Sequence, residues 1–235
     1  MVIDSYSLSR SGHHAILFWL AKNIVPSACV LGETSKDVFT PLVQGEGVTI
    51  KILENRPIES SDRPTVVILR DPFNNYASFK KLVQSPNFGA VSFVPFLKYW
   101  TDYAKEVVGE TNLLTNKIFI SYNRWASSEE YRKQIILEFG NKFSIPVRFD
   151  DSLKEVVTRF GDGSSFDGFN FAYQASMMKV NERYKNYETN PLFRSEVATP
   201  EITKLSQQIF HFNPFEPVEK VIHRDAHSIL DDLFG

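Results

Sequence analysis

Apolar and polar positions along the chain predict strands that alternate with helices. Residues 2–8 alternate imperfectly, as strands do, and residues 15–20 form an apolar run typical of a buried helix. Residues 65–69 are a run of β-branched and other apolar residues, which indicates a strand buried on both faces. This order of elements predicts a parallel sheet that is covered by helices.

The same patterns place the remaining elements. They predict strands at residues 28–31, 48–53 and 117–121, a helix over 93–108, and a helix over 128–139 that stops at Gly140. The chain of 235 residues is long enough for one sizeable core, so we predict a single domain over residues 1–235. The expected fold class is α/β, with three layers and a central parallel sheet flanked by helices.

A second strand-to-helix switch follows residues 65–69. Asp71 can cap a helix whose first residue is Pro72, because proline loses nothing where the amide has no partner in the helix. The helix is therefore predicted to begin directly after Arg70, which closes the strand.

Composition limits the possible binding partners and the possible cell compartment. The net charge of −2 creates no overall positive potential that would attract nucleic acid or a membrane surface, so any anion site must be local. Cys29 is the only cysteine, which excludes an intramolecular disulfide and a multi-cysteine metal site and favours a reducing compartment. No apolar stretch reaches the ~20 residues of a spanning helix. We expect a cytoplasmic protein without a membrane anchor.

The first motif with candidate chemistry is the polar loop after the first strand, Ser9-Arg10-Ser11-Gly12-His13-His14. Backbone amides at the start of a helix favour binding of a phosphate, and glycine allows the phosphate to approach the backbone. The guanidinium of Arg10 offers several hydrogen-bond donors to the same anion. The spacing is not that of a Walker sequence. Taken alone, the loop fits an ordinary tight turn as well as an anion site.

The second motif joins Arg70 to Ser78, eight residues later and about two turns into the predicted helix. The two side chains can converge on one anion only if the end of the strand folds back over that helix. Such an arrangement suits a second phosphate.

Together these two motifs resemble the sulfotransferase family that uses 3'-phosphoadenosine 5'-phosphosulfate (PAPS), which has a P-loop-like fold. The resemblance implies that Ser9, Arg10, Ser11, Gly12, His13 and His14 hold the 5'-phosphosulfate, and that Arg70 and Ser78 hold the 3'-phosphate. It also implies an adenosine-side role for Tyr122 and a closing role over the 3'-phosphate for Arg159. The implied reaction moves a sulfuryl group to a hydroxyl or amine and leaves 3',5'-adenosine bisphosphate, without a metal ion. The acceptor is open among a sugar, a lipid, a small phenol and a peptide.

His13 and His14 depart from the family, which usually has two small hydroxyl residues after the loop glycine. Imidazole can still donate a hydrogen bond to a sulfate oxygen, and it does so with charge when protonated. The late loop around Arg159 also carries the acidic Asp162 beside the proposed anion.

The catalytic candidates are Arg10, Glu33 and His14. Sulfuryl transfer needs fixed cations near the oxygens over which the negative charge is spread, and Arg10 suits the position next to the bridging oxygen. The reaction also needs a base near the sulfur. Some family members place a glutamate where Glu33 lies, although Glu33 could equally cap a short helix near Ser35. His13 and His14 are alternative bases, with ligand contact as their first expected role.

Two other functions compete with this interpretation. A nucleoside or nucleotide kinase would use a related loop, but the lysine after the loop glycine is missing, and Asp71, the nearest candidate magnesium ligand, fits a helix cap better. A non-catalytic nucleotide-binding protein would keep the pocket and lack the base. Finally, residues 182–185 predict a solvated helix face, and the aromatic residues of 93–103 predict core packing.

Overall fold

The computed structural model describes residues 1–25, 28–31, 38–39, 47–84, 94–157, 164 and 166–215. The strands are β1 (Val2–Ser7), β2 (Ala28–Leu31), β3 (Val38–Phe39), β4 (Val48–Glu54), β5 (Thr65–Leu69) and β6 (Lys117–Ser121). The α-helices are α1 (His13–Asn23), α2 (Pro72–Val83), α3 (Phe96–Val108), α4 (Tyr122–Ser127), α5 (Glu129–Phe143), α6 (Pro191–Val197) and α7 (Pro200–Phe210). Two 3₁₀ helices, Ala175–Met177 and Val180–Tyr187, precede α6.

The strands of the described chain form one sheet in the order β3-β2-β4-β1-β5-β6. Every neighbouring pair is parallel except β2 and β3, which are antiparallel. The chain builds β2 to β4 on one side of β1 and then crosses to build β5 and β6 on the other. This reversal beside β1 opens a crevice at the carboxyl ends of the strands, where α/β proteins commonly bind ligands.

Helices cover both faces of the sheet, so the predicted three-layer α/β fold is confirmed. Val66 and Ile68 of β5 belong to one apolar core, which includes residues of α1, α4 and α5. Val67 and Leu69 point the opposite way, into a second core with residues of α2, α3, α6 and α7. Within the described residues, no helix is long and apolar enough to span a membrane.

The start of α2 is as predicted, whereas the end of α5 is not. Asp71 accepts a hydrogen bond from the Asn74 amide at 2.9 Å, and Pro72 opens the helix. In contrast, α5 continues through Gly140 to Phe143 and ends at Ser144 in the left-handed conformation. A Cβ atom on Gly140 would lie 2.6 Å from Val147 Cγ2, so glycine serves close packing here rather than helix termination.

Aromatic residues of α3 pack as predicted. Phe96, Trp100 and Tyr103 are almost fully buried in the second core. They therefore support α3 against the sheet and do not line the cleft described next.

Candidate functional site

The carboxyl ends of four parallel strands lie at the same edge of the sheet. Ser7 is in register with Glu54 on one side and with Ile68 on the other, and Leu69 is in register with Ser121. The residues that follow these strands therefore meet at one edge. They are Ser9 after β1, Asn55 after β4, Arg70 after β5 and Tyr122 after β6, and all four line one cleft of about 920 Å³.

The loop between β1 and α1 has an unusual backbone. Arg10 has a φ of 63° and Gly12 a φ of 80°, both in the left-handed region. The Ser11 amide donates to the Leu8 carbonyl at 3.1 Å, which tightens the turn. A Cβ atom on Gly12 would lie 2.0 Å from Tyr122 Cε2, so glycine is needed for the tyrosine ring to pack on the loop.

Two asparagines that the sequence did not single out hold the beginning of this loop. Asn55 Oδ1 accepts from the Ser9 amide at 3.0 Å, and Asn55 Nδ2 donates to Ser9 Oγ at 2.6 Å. Asn75 Nδ2 of α2 donates to the Ser9 carbonyl at 2.9 Å. The loop is therefore fixed to the residue that follows β4 and to α2.

Arg70 and Ser78 meet, as the second motif required. One terminal nitrogen of Arg70 donates to Ser78 Oγ at 3.2 Å and to the Arg10 carbonyl at 3.1 Å, and the other donates to the Val180 carbonyl. The strand end thus folds back over α2 and also joins the first loop. The Arg70 guanidinium carbon lies 5.2 Å from the centre of the Tyr122 ring.

Arg70 is a buried cation whose described hydrogen-bond partners are all uncharged oxygens. Its side chain is 4% exposed, and its Nε atom is buried without a partner. Burial lowers the pKa of Arg70 from its usual value, although Tyr122 and Asp71 act in the opposite direction. A guanidinium stays charged near pH 7, so this position favours an anion.

His13 is buried in the wall of the cleft. Its side chain is 2% exposed, and burial together with the charge of Arg10 lowers its pKa to about 3. Its ring centre lies 4.0 Å from that of His14, which is half-buried and also lines the cleft. His13 therefore offers a ligand no positive charge near pH 7.

The structure brings most of the predicted site residues together. Those that line the cleft are Ser9, Arg10, Gly12, His13, His14, Arg70, Ser78 and Tyr122. Ser11 does not line it, because its side chain is fully buried beneath the loop, with Oγ 3.4 Å from His13 Nδ1. Glu33 and Arg159 lie outside the described residues.

Arg183 contradicts the predicted solvated face at residues 182–185. It is 6% exposed, forms an ion pair with Asp167 and donates to Ser164 Oγ at 3.2 Å. It also lines the cleft and is close enough to Arg70 to affect its electrostatics. The local charge pattern hides this role, since Asp167 lies in a different segment.

The cleft is richer in positive than in negative side chains. Among the described residues, the cationic lining residues are Arg10, Arg70, Lys154, Lys179 and Arg183, and the acidic ones are Glu54 and Glu182. Asp167 and Glu155, outside the lining, form ion pairs with Arg183 and Lys154. The described groups still carry an excess of positive charge, which favours an anion in the cleft.

Trp125 is a further lining residue that sequence reasoning missed. It follows Tyr122 by one turn of α4, with the two rings stacked at 25° and 6.1 Å between centres. Its Nε1 donor is buried without a partner. Both side chains are almost fully buried, so the pair forms part of the cleft wall rather than an open platform.

No protein-family model matches this chain, and no curated protein matches it in sequence. Among the described residues, no group of three His, Cys, Asp or Glu side chains could hold a metal ion.

Proposed function

We propose that this chain is a PAPS-dependent sulfotransferase that moves a sulfuryl group to a hydroxyl or amine acceptor and releases 3',5'-adenosine bisphosphate. The observation that carries the proposal is the contact between Arg70 and Ser78, 3.2 Å apart, on the wall of the cleft that also contains the Arg10 loop. Two phosphate-type sites in one cleft fit a nucleotide with phosphates at both its 5' and 3' positions. With Cys29 as the single cysteine, we place the enzyme in the cytoplasm.

Each part of the cleft has a role in this proposal. The loop of residues 9–14 receives the 5'-phosphosulfate, with Arg10 balancing charge on the transferred group and on the leaving phosphate. Arg70 and Ser78 receive the 3'-phosphate. Tyr122 and Trp125, which lie in the cleft wall, are the candidate aromatic contacts for the adenosine.

The reaction needs positioning and charge stabilisation more than covalent chemistry by the protein. The acceptor attacks sulfur in line with the departing phosphate, as in phosphoryl transfer. A base must take the acceptor proton, and Glu33 and His14 are the predicted candidates. No metal ion has a part in this proposal.

The kinase alternative is weakened by the position of Asp71. Its side chain is fully buried and accepts from the Asn74 amide at 2.9 Å and from Asn123 Nδ2 at 2.7 Å. A carboxylate that caps a helix in this way is poorly placed to take a hydrated magnesium ion.

Thermal unfolding with ligands tests the proposal. At a hundred times its dissociation constant, 3',5'-adenosine bisphosphate should stabilise the native protein by about 2.7 kcal/mol and raise the melting temperature. The shift should be lost in Arg70→Ala and kept in Arg148→Ala, an exposed arginine outside the cleft.

Two outcomes would contradict the proposal. If ATP with magnesium stabilises the wild-type protein and the bisphosphate does not, the kinase alternative becomes the working hypothesis. If the bisphosphate binds but no sulfated product forms from PAPS with a broad set of acceptors, the chain is a non-catalytic nucleotide-binding protein.

A further inference from the structure

Glu54 is a carboxylate in the lining of the cleft whose side chain forms no ion pair or hydrogen bond with another described residue. The second acidic side chain that lines the described part of the cleft, Glu182, forms an ion pair with Lys185 at 3.1 Å. Glu54 is also half-buried rather than enclosed, so its carboxylate is accessible to a ligand in the cleft.

The backbone at Glu54 is tied to the loop of residues 9–14. Glu54 ends β4 and is in register with Ser7, which ends β1. The amide of the next residue, Asn55, donates to the Ser7 carbonyl at 2.9 Å, and its side chain forms two hydrogen bonds with Ser9, of 3.0 and 2.6 Å. Since Cα atoms of consecutive residues are about 3.8 Å apart, Glu54 lies beside the loop that we propose for the phosphosulfate.

The other described carboxylates around the cleft have different tasks. Asp167 and Glu155 form ion pairs with the cleft cations Arg183 and Lys154. Asp71 caps α2 and is fully buried. These groups are occupied by cations or by backbone amides, and none of them lines the cleft itself.

A carboxylate in the position of Glu54 suits a ligand that carries a transferable proton. A half-exposed glutamate is ionised near pH 7, and an ionised carboxylate can only accept hydrogen bonds. Phosphosulfate oxygens are acceptors with negative charge, so the carboxylate repels them. A hydroxyl or an amino group can donate to it, and such a group attacks sulfur in the proposed reaction.

We propose that the Glu54 carboxylate takes the proton of the attacking acceptor group during sulfuryl transfer. This inference rests on the proposed function. The acceptor oxygen or nitrogen forms a bond to sulfur while the bond from sulfur to the bridging phosphate oxygen breaks, and the electron pair of that bond stays on the leaving bisphosphate. The acceptor proton moves to a carboxylate oxygen of Glu54 and passes to water when the products leave.

Glu54→Gln separates proton transfer from nucleotide binding, because glutamine keeps the size of the side chain and cannot take the proton. We expect the dissociation constant of 3',5'-adenosine bisphosphate to stay unchanged or to fall by up to about threefold, since a negative charge is removed from the cleft. Sulfation of glucosamine, phenol or a tyrosine peptide by PAPS should fall by about 100-fold or more. Glu138→Gln, at an exposed glutamate outside the cleft, is the matched control and should change neither quantity.

The acidity of the acceptor distinguishes a base from a residue that only organises the cleft. At about pH 9, 4-nitrophenol is largely ionised and has no proton to lose, whereas phenol keeps most of its protons. The loss in Glu54→Gln should therefore be at least about tenfold larger with phenol than with 4-nitrophenol. Equal losses with the two phenols would overturn the role of Glu54 as a base.

Failure of this inference differs from failure of the proposed function. Sulfation that persists in Glu54→Gln, or that falls only in step with binding of the bisphosphate, overturns the role of Glu54 and leaves the sulfotransferase intact. A large loss in Glu33→Gln or His14→Asn, with Glu54→Gln active, would do the same and assign the base to that residue. Wild-type protein that does not bind the bisphosphate overturns the proposed function itself.

Discussion

Removing Arg70 should abolish most of the discrimination between a nucleotide with a 3'-phosphate and one without it. Arg70 is a buried cation, and its Nε–H has no described partner. One charge-assisted hydrogen bond contributes about 1.5–3 kcal/mol. Arg70→Ala should therefore weaken 3',5'-adenosine bisphosphate relative to 5'-AMP by about 2–3 kcal/mol, or roughly 30- to 150-fold in the ratio of dissociation constants.

Isothermal titration calorimetry of both ligands on both proteins measures this ratio. Arg70 also donates to the carbonyls of Arg10 and Val180, so its removal loosens the cleft for either ligand. That general loss cancels in the ratio, since both nucleotides share the 5' side. Ser78→Ala should change the ratio by only about 1 kcal/mol, because its hydroxyl is uncharged.

A single result would refute this reasoning. If Arg70→Ala weakens both nucleotides equally, Arg70 organises the cleft through its two carbonyl contacts and does not bind the 3'-phosphate. Arg148→Ala, which alters an exposed arginine, should leave both dissociation constants unchanged.

Three further predictions concern stability. Gly12→Ala should destabilise the protein by about 2–5 kcal/mol in urea unfolding, because the added Cβ atom clashes with Tyr122 at a position whose positive φ is already unfavourable. Gly109→Ala, at the same φ but with open space around it, should cost only about 1–2 kcal/mol. Equal losses in the two variants would contradict the clash. Gly140→Ala should destabilise by about 1–2 kcal/mol despite the better helix propensity of alanine, because of Val147, and a higher melting temperature would disprove this packing role. Burial would raise the pKa of Glu106, but hydrogen bonds from Lys117, Thr111 and the amides of Leu113 and Leu114 outweigh it and lower the pKa below its usual value of 4.5. Its contribution is thus present above pH 4.5 and lost as the pH falls through the lowered pKa. Glu106→Gln should therefore cost about 2 kcal/mol at pH 7 and progressively less as the pH falls below 4.5. A cost independent of pH would contradict the linkage.

Local patterns predicted the parts of the fold that depend on neighbouring residues. The strand at residues 65–69 and the Asp71 cap of α2 were predictable because burial on both faces and helix capping leave contiguous signals. The end of α5 was not, since Gly140 reflects a contact with Val147, which belongs to the segment after the helix. Such a tertiary role cannot be distinguished from a stop signal in the sequence alone.

The residues of the candidate site also differ in whether the sequence predicts them. The Arg10 loop and Arg70 were predictable because each follows a strand directly, and parallel strands end at one edge. Arg183 and Val180 reach the cleft from a segment 110 residues beyond Arg70, in a 3₁₀ helix whose charges look like those of a solvated face. No spacing rule connects residues that meet only through the fold.

Two described residues of the cleft wall have buried donors without partners, Arg70 Nε and Trp125 Nε1. Guanidinium and indole N–H groups can only donate, so a ligand that satisfies them must present acceptor atoms, as phosphate and sulfate oxygens do. Each such donor costs about 1–3 kcal/mol if it stays unmet. Both donors therefore favour the anionic ligand that we propose for this cleft.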